Sequence, residues 1–189
     1  MDLDFTINKI IELGEVSSTQ DIAKELATVS DYDYVLICAK TQTNGRGRYE
    51  RKWDSCPGGL YMSLLLRSKK QISSTSDLSV KTGQAVAQTL KELYGIKTKI
   101  KLPNDVLAVD KTGCKKISGI LIETSSKSDK LNWLSVGIGV NLNNKPSKNL
   151  QAISAKEILG KAVDINEFRG EFIKIFALKY LQWQIGSQN

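Results

Sequence analysis

The order of the apolar runs along the chain constrains the fold more than any other feature of the sequence. Their periodicity predicts short β-strands at residues 34–38, 60–66, 96–101, 106–109, 117–122 and 133–140. Few helical patterns lie between these strands, and strands and helices do not alternate strictly along the chain. Because strict alternation is typical of parallel βαβ sheets, this order predicts the α+β class instead.

Three segments have helical spacing: the residues after Ser17, residues 78–93, and the chain from residue 155 onwards. The apolar residues that recur at this spacing, and that we expect to face the core, are Ile22, Leu26 and Val29, then Val80, Ala87 and Leu90, and finally Phe168, Phe172, Ile175, Phe176 and Tyr180. The polar, glycine-rich stretch over residues 42–59 is predicted to be a loop. No repeat or linker divides the chain, so we expect residues 1–189 to form a single domain.

Composition excludes several kinds of chemistry. The chain has 0 histidines, so it cannot build an HExxH zinc site, a Ser-His-Asp triad or a Cys-His dyad. Any catalysis must therefore use lysine, arginine, carboxylates or the backbone. The net charge of +7 arises from residues 95–189, which hold 15 basic and 8 acidic residues. This excess predicts an anionic partner: nucleic acid, nucleotide, acidic protein or membrane surface. The alternative is that these lysines are simply exposed to solvent along the surfaces of helices.

The sequence also indicates where the protein works. Its three cysteines, Cys38, Cys56 and Cys114, form no CxxC pair and suit a reducing compartment. The acidic N-terminus, MDLDFTINKI, lacks the basic-then-apolar order of a signal peptide. No apolar run approaches the ~18–20 residues that cross a bilayer. We therefore expect a cytoplasmic protein with no membrane partner.

A loop motif, GRGRYERKW, occupies residues 45–53. Its glycines allow close approach of the backbone to a ligand, and free N–H groups in such turns bind anions. Arg46, Arg48 and Arg51 add forked donors for carboxylate or phosphate, and Trp53 is suited to stacking on a planar ring. Arginine-glycine segments also occur in RNA-binding tails, but there they usually repeat. This one occurs once, between two predicted strands.

Three shorter motifs follow in the second half of the chain. KLPND at residues 101–105 places an amide and a carboxylate just after a strand, although PND is also an ordinary turn sequence. KKISGILIE at residues 115–123 begins a strand with two lysines, a position where lysine is often merely solvated. GIGVN at residues 137–141 has glycines inside a strand, which mark close approach of the backbone to a ligand or neighbour.

With these motifs in this order, the sequence from Ser17 to about Asn141 resembles biotin protein ligases. The resemblance implies a mixed sheet flanked by helices, like the catalytic core of class II aminoacyl-tRNA synthetases. It also implies two half-reactions. The carboxylate of biotin attacks the α-phosphate of ATP, with Mg²⁺, to give biotinyl-5′-AMP and pyrophosphate. A lysine of a biotin carboxyl carrier protein, from acetyl-CoA carboxylase or a related carboxylase, then attacks the mixed anhydride and releases AMP.

The resemblance implies roles for individual residues. Catalysis would rest on Lys116 and Arg48. The residues implied to bind biotin are Ser18, Thr19, Gln20, Gln42, Arg46, Gly47, Arg48, Lys116 and Gly119. The residues implied to bind the nucleotide are Arg48, Arg51, Trp53, Asn104, Asp105, Lys116 and Asn141, and Asp105 is also implied as a ligand of Mg²⁺. Both steps concentrate negative charge, so preorganised donors and cations are sufficient without histidine.

The sequence departs from the family pattern at several places. Gln20 stands where asparagine is commoner, and Leu102 replaces the usual tryptophan before the PND turn. Tyr49 and Glu50 replace a small and basic pair inside the loop, so Glu50 adds negative charge beside an anionic ligand. We expect these changes to weaken affinity more than chemistry.

The boundaries of the chain concern two further domains that relatives carry on either side of this core. Little room precedes Ser17 for a helix-turn-helix, so we expect no DNA partner. The SH3-like domain of many relatives would follow the helix around Trp183; we expect it to be absent or truncated here, and carrier recognition to rest on the core.

One alternative function is a lipoate or octanoate ligase or transferase of the same fold, which the loop type and the lack of histidine disfavour. The others are a basic nucleic-acid-binding module, with salt-steep binding and no need for ATP, and a non-catalytic biotin binder. A homodimer is compatible with the sequence, which does not determine the oligomeric state.

Overall fold

A computed structural model describes residues 5–49, 51–67, 75–111, 113–127, 130–147 and 150–186. The strands are β1 (Lys9–Val16), β2 (Tyr34–Gln42), β3 (Leu60–Leu66), β4 (Thr98–Lys101), β5 (Asp105–Asp110), β6 (Gly113–Lys127) and β7 (Lys130–Val140). The helices are α1 (Thr19–Val29), α2 (Thr75–Tyr94), α3 (Ala155–Leu159) and α4 (Ile165–Gly186). Within these ranges, no helix combines the length and the apolar character needed to cross a membrane.

The strands form one seven-stranded sheet in the order β1-β2-β3-β7-β6-β5-β4. β1 runs parallel to β2, and the other neighbouring pairs are antiparallel. A long β6–β7 hairpin lies near the middle of the sheet, where it pairs with β3 on one side and β5 on the other. This architecture confirms the predicted α+β class and the mixed, helix-flanked sheet that the resemblance implied.

The helices cover the two faces of the sheet unequally. On one face, α2 and α4 bury alternate residues of the strands in the main core. The stripe that α4 contributes consists of the five predicted residues Phe168, Phe172, Ile175, Phe176 and Tyr180. On the other face, α1 packs through Ala23 and Ala27 against Val35, Ile37 and Leu65. α1 leaves part of this second face open above β6 and β7, and the candidate site lies there.

Several predicted elements differ from the structure. β1 was not predicted, because it is an edge strand in which only Ile11, Leu13 and Val16 are even partly buried. Val29 was expected to face the core but is 74% exposed. It is the last residue of α1, where the chain turns away at the C-cap Ser30, and the buried positions of this helix are Thr19, Gln20, Ala23 and Ala27.

The other helical segments also needed correction. In α2, Val80 and Ala87 are only partly buried, whereas Leu90 is fully buried as predicted. The fully buried face of α2 also includes Ala85 and Val86, because its stripe is rotated from the predicted one. The chain after residue 155 forms two helices. Gly160 ends α3 in the left-handed conformation, at φ 70°, and so separates it from α4.

Candidate active site

A cavity of about 760 Å³ opens on the face of the sheet that α1 covers in part. Strands β6 and β7 form its floor, and the start of α1, the loop after β2 and the turn between β4 and β5 form its walls. All fourteen site residues that the sequence predicted line this cavity: Ser18, Thr19, Gln20, Gln42, Arg46, Gly47, Arg48, Arg51, Trp53, Asn104, Asp105, Lys116, Gly119 and Asn141. The fold therefore brings the separated motifs together, and their roles remain predictions.

The floor of the cavity is made of glycines that other groups approach closely. Gly119 of β6 and Gly139 of β7 are directly paired across the hairpin. The indole of Trp53 lies over both, and a Cβ built on Gly119 would come within 2.8 Å of the ring. Gly137 has the side chain of Gln20 above it, 3.0 Å from where a Cβ would lie. The glycines are thus required by close packing, as their position inside strands predicted.

The loop motif folds back on itself into a narrow ribbon, residues 45–53. The backbone N–H of Trp53 donates to the carbonyl of Gly45 at 2.9 Å, and that of Gly47 donates to the carbonyl of Arg51 at 2.6 Å. A side chain at Gly45 would meet the carbonyl oxygen of Trp53 at 2.7 Å, so only glycine fits there. Tyr49 sits at the tip with φ 55° and is 78% exposed.

Arg46 has its guanidinium between two carboxylates. Its Nη1 donates to Oδ1 of Asp21 at 2.5 Å, and its Nε and Nη2 donate to the two oxygens of Glu123 at 3.2 and 3.1 Å. Partial burial alone would lower the pKa of Arg46, but the hydrogen bonds to Glu123 and Asp21 raise that pKa above its ordinary value. Arg46 is therefore held as a cation that fixes the base of the ribbon.

Other cations of the ribbon lie unpaired beside the cavity. Arg48 rests its guanidinium 5.0 Å from the ring centre of Tyr49 and donates to its hydroxyl at 3.1 Å. Arg48, Arg51 and Lys52 form no ion pair with any residue that the structure describes. All three line the cavity, so their charges are available to an anionic ligand.

Lys116 is the cation nearest to the glycine floor. Its Nζ lies 2.7 Å from Oδ1 of Asp105 and 5.2 Å from the centre of the Trp53 ring. The two groups form an ion pair that is not aligned as a hydrogen bond. Oδ1 of Asp105 is accordingly buried without a hydrogen-bond partner among the described residues. Nε1 of Trp53 is also buried without a partner there. The Lys116 ammonium and the indole N–H of Trp53 thus lie near each other with donor capacity left for a ligand.

Two asparagines of the motifs are braced by their neighbours. The side-chain amide of Asn104 donates to the backbone carbonyl of Ile120 at 3.0 Å. The backbone carbonyl of Asn104 in turn accepts from the backbone N–H of Ile120 at 2.9 Å. Asn141 is 3% exposed and accepts at Oδ1 from the amide of Asn144 at 3.0 Å. These contacts fix the turn before Asp105 and orient the Asn141 amide at the edge of the cavity.

The start of α1 forms the polar end of the cavity. Gln42 accepts at Oε1 from the N–H of Thr19 at 2.8 Å and donates from Nε2 to the hydroxyl of Ser55 at 2.8 Å. Gln20 donates to the carbonyl of Leu121 at 3.1 Å and accepts from the hydroxyl of Ser135. Because Nε2 of Gln42 carries a second N–H, that group can still donate to a ligand.

The sequence missed two parts of the site. Asp21 and Glu123 were assigned no role, although Glu123 belongs to the KKISGILIE motif. The chain after β7 forms a further wall: Gln151 accepts from the N–H of Lys116 at 2.8 Å, and Leu150 and Gln151 line the cavity. Lys116 belongs to one of the motifs, but Gln151, whose backbone carbonyl is its partner, belongs to none. The local sequence around Gln151 therefore gave no signal of this contact.

Two of the positions where the sequence departs from the family pattern, Gln20 and Leu102, line the cavity at different places. Leu102 lines the cavity and is 69% exposed, so it offers an apolar surface but no buried wall. Gln20 fills the space over Gly137 with its longer side chain. Glu50 lies outside the described residues, so its expected effect on affinity stays a prediction.

A mixed sheet with a glycine floor, a cationic ribbon and an aromatic ring above that floor defines an α+β domain with a cavity suited to a small anionic ligand. The model of the biotin/lipoate A/B protein ligase family matches residues 13–141 of this chain. The chain therefore belongs to that family.

Individual relatives agree with this assignment. The chain is 41% identical over 133 residues to the bifunctional ligase/repressor BirA of Bacillus subtilis (strain 168), a match that covers 70% of this chain and 40% of the relative. It is 32% identical over 181 residues to the biotin–[acetyl-CoA-carboxylase] ligase of Paracoccus denitrificans, covering 91% of this chain and 71% of that one. The chain thus spans about two fifths of the length of the first BirA relatives.

A solved structure resembles the whole described fold. The biotin protein ligase from Aquifex aeolicus, in complex with biotin and ATP, superimposes with a TM-score of 0.78 at 33% identity. The match covers 96% of this chain and 74% of the Aquifex chain.

Proposed function

We propose that this chain is an ATP-dependent ligase that activates biotin as biotinyl-5′-AMP and transfers it to a lysine of a biotin carboxyl carrier protein. The observation that carries the proposal is the gathering of all fourteen predicted site residues around one cavity with a glycine floor. Two relatives support the choice of substrates. One is the biotin–[acetyl-CoA-carboxylase] ligase of Paracoccus denitrificans, and the other is the Aquifex ligase in complex with biotin and ATP.

The two ligands divide the cavity between its ends. We assign the head group of biotin to the end formed by Ser18, Thr19, Gln20 and Gln42, where the free N–H of Gln42 can donate to the ureido oxygen. The biotin tail would then run past Arg46 and Gly47 towards Lys116 and Gly119. The nucleotide would occupy the end lined by Arg51, Trp53, Asn104, Asp105 and Asn141.

Activation requires that the carboxylate of biotin approach the α-phosphate of ATP, although both are anions. We assign Lys116 and Arg48 to this step, because both are cations that line the cavity. Charge develops on the phosphate oxygens as the carboxylate attacks, and fixed cations stabilise that transition state more than the separated substrates. Arg51 would hold the leaving pyrophosphate. No side chain has to act as a nucleophile.

Mg²⁺ fits this cavity only if the protein and the substrate phosphates share its coordination. The described residues contain no cluster of three or more potential metal-ligating side chains. Mg²⁺ usually takes one or two carboxylates and completes its shell with water and substrate phosphates. Asp105 lines the cavity and has a second carboxylate oxygen besides the Oδ1 that pairs with Lys116, so it suits that arrangement. When bound there, Mg²⁺ would supply neutralisation of phosphate charge.

The second half-reaction brings a carrier lysine to the mouth of the cavity. Tyr49, Leu102 and Leu150 line that mouth and are 78%, 69% and 50% exposed, so they form an apolar rim for the turn of the carrier that bears the lysine. We propose that residues 1–189 act as one catalytic domain in the cytoplasm. We expect no DNA or membrane partner, and a homodimer is compatible with this function.

The experiment that tests this function is pyrophosphate release from ATP with biotin, lipoate, octanoate or no acid added. We expect release with biotin alone. Release with only lipoate or octanoate would assign the chain to the lipoate branch of the family. No release with any acid would contradict ligase activity, and a salt series with nucleic acid would then test the basic-module alternative.

A further inference from the structure

Arg46 uses three of its five guanidinium N–H groups within the protein. Its Nε and Nη2 engage the two oxygens of Glu123, and its Nη1 engages Asp21, in a set of contacts that we call the Arg46 clasp. The carboxylate of Asp21 is itself oriented, because the hydroxyl of Ser17 donates to its second oxygen at 2.9 Å. The Arg46 clasp is therefore a built arrangement in which all three nitrogens of the guanidinium donate to carboxylates.

The two carboxylates belong to α1 and β6, the two elements that hold Gln20. Asp21 is the residue after Gln20 in the first turn of α1. Glu123 lies two residues beyond Leu121, whose carbonyl accepts from the Gln20 amide. The clasp thus ties the base of the ribbon to the two elements that hold Gln20.

We propose that Asp21 and Glu123 are positioning residues, which act through Arg46 to hold ribbon 45–53 over the cavity at the end that receives the acid substrate. This inference rests on the proposed function for its kinetic consequences. The clasp touches no reacting atom, so its loss should raise the KM values for biotin and ATP and leave kcat nearly unchanged.

The resemblance predicts a different role for Arg46, as a direct ligand donor, and its two remaining N–H groups leave room for such a contact. The ligand-free ribbon separates the two roles. Loss of a direct ligand contact changes the protein only when the ligand is present, whereas loss of the clasp loosens the ribbon without it. Trypsin cleavage of the ligand-free ribbon in Asp21→Asn and Glu123→Gln therefore tests the clasp independently of any contact between Arg46 and the ligand.

The test compares Asp21→Asn and Glu123→Gln with Glu12→Gln. Glu12 is a matched control because it pairs with Arg169 at 2.5 Å in an arginine–carboxylate contact that does not line the cavity. The first readout is trypsin cleavage of the ligand-free ribbon after Arg48, Arg51 and Lys52. We expect each clasp variant to speed this cleavage about fivefold, as for loss of a partly exposed charge-assisted hydrogen bond, and the control to match the wild type.

The second readout is pyrophosphate release at varied biotin and ATP. We expect KM to rise about fivefold in the clasp variants, with kcat within about twofold of the wild type, and Asp21→Glu to recover much of the loss because it keeps the carboxylate. Lower KM values, or cleavage no faster than in Glu12→Gln, would overturn the proposal. Faster cleavage in a chain whose wild type shows no acid-dependent release would support the clasp and contradict only the proposed function.

Discussion

Lys116→Ala tests the charge at the centre of the site. The substitution removes the ammonium that lies 2.7 Å from Asp105 and 5.2 Å from the Trp53 ring centre. The two side chains of the ion pair are 32% and 20% exposed, so solvent screens part of their attraction. Losing such a pair should cost about 1 kcal/mol in the free energy of unfolding, or about 2–4 °C in Tm for a chain of this size. The rate of adenylate formation should fall much further, by about 10²–10³, as when one preorganised donor to a developing oxyanion is removed.

The assay is biotin-dependent pyrophosphate release, with thermal unfolding and biotin binding measured on the same samples. Lys115→Ala is the control, because Lys115 is the adjacent lysine of the same strand, is exposed, and does not line the cavity. Lys115→Ala should retain the wild-type rate, and Lys116→Ala should keep its fold and most of its biotin binding. A Lys116→Ala rate within about threefold of the wild type, or an equal loss in Lys115→Ala, would refute the assigned role.

Other parts of the cavity make predictions of their own. Biotin with ATP should slow trypsin cleavage of ribbon 45–53 about tenfold. The reason is that a charged ribbon with few apolar contacts closes over bound ligand. Equal cleavage with and without ligands would contradict this. Gly139→Ala should raise the KM for ATP about tenfold, since its methyl group would enter the space of the Trp53 indole above it, whereas Gly14→Ala has open space and should behave as wild type; similar effects would disprove the role of the floor. The hydrogen bond to Asp54 raises the pKa of the Cys56 thiol, so Asp54→Asn should accelerate alkylation of Cys56 at mildly alkaline pH, and an unchanged rate by mass spectrometry would count against that contact.

The fold was predictable where burial follows a regular period. Strands such as Leu60–Leu66 are buried throughout, and the aromatic stripe of α4 repeats at helical spacing, so both were recognised. β1 has too little buried surface to give a pattern, because it lies at the edge of the sheet. Val29 fits the apolar period of α1 but lies where the helix ends, and periodicity alone does not locate that end.

The site was predictable from its motifs, but its internal contacts were not. The family resemblance named residues that all line the cavity, because each motif keeps its chemistry on a short segment. Arg46 and Glu123 are 77 residues apart, and each is an ordinary surface residue type when considered alone. Their pairing depends on how the ribbon lies against β6, which is set by tertiary packing. The wall beside Lys116 depends in the same way on the chain after β7.

The most direct test of the central claim is to incubate the protein with biotin and ATP, without carrier, and to analyse the products by mass spectrometry. The account predicts biotinyl-5′-AMP and pyrophosphate, and, once a biotin carboxyl carrier protein is added, biotin on one carrier lysine with release of AMP. If no adenylate forms while biotin still binds, the chain would be a biotin-binding protein without ligase activity, and the account would be contradicted.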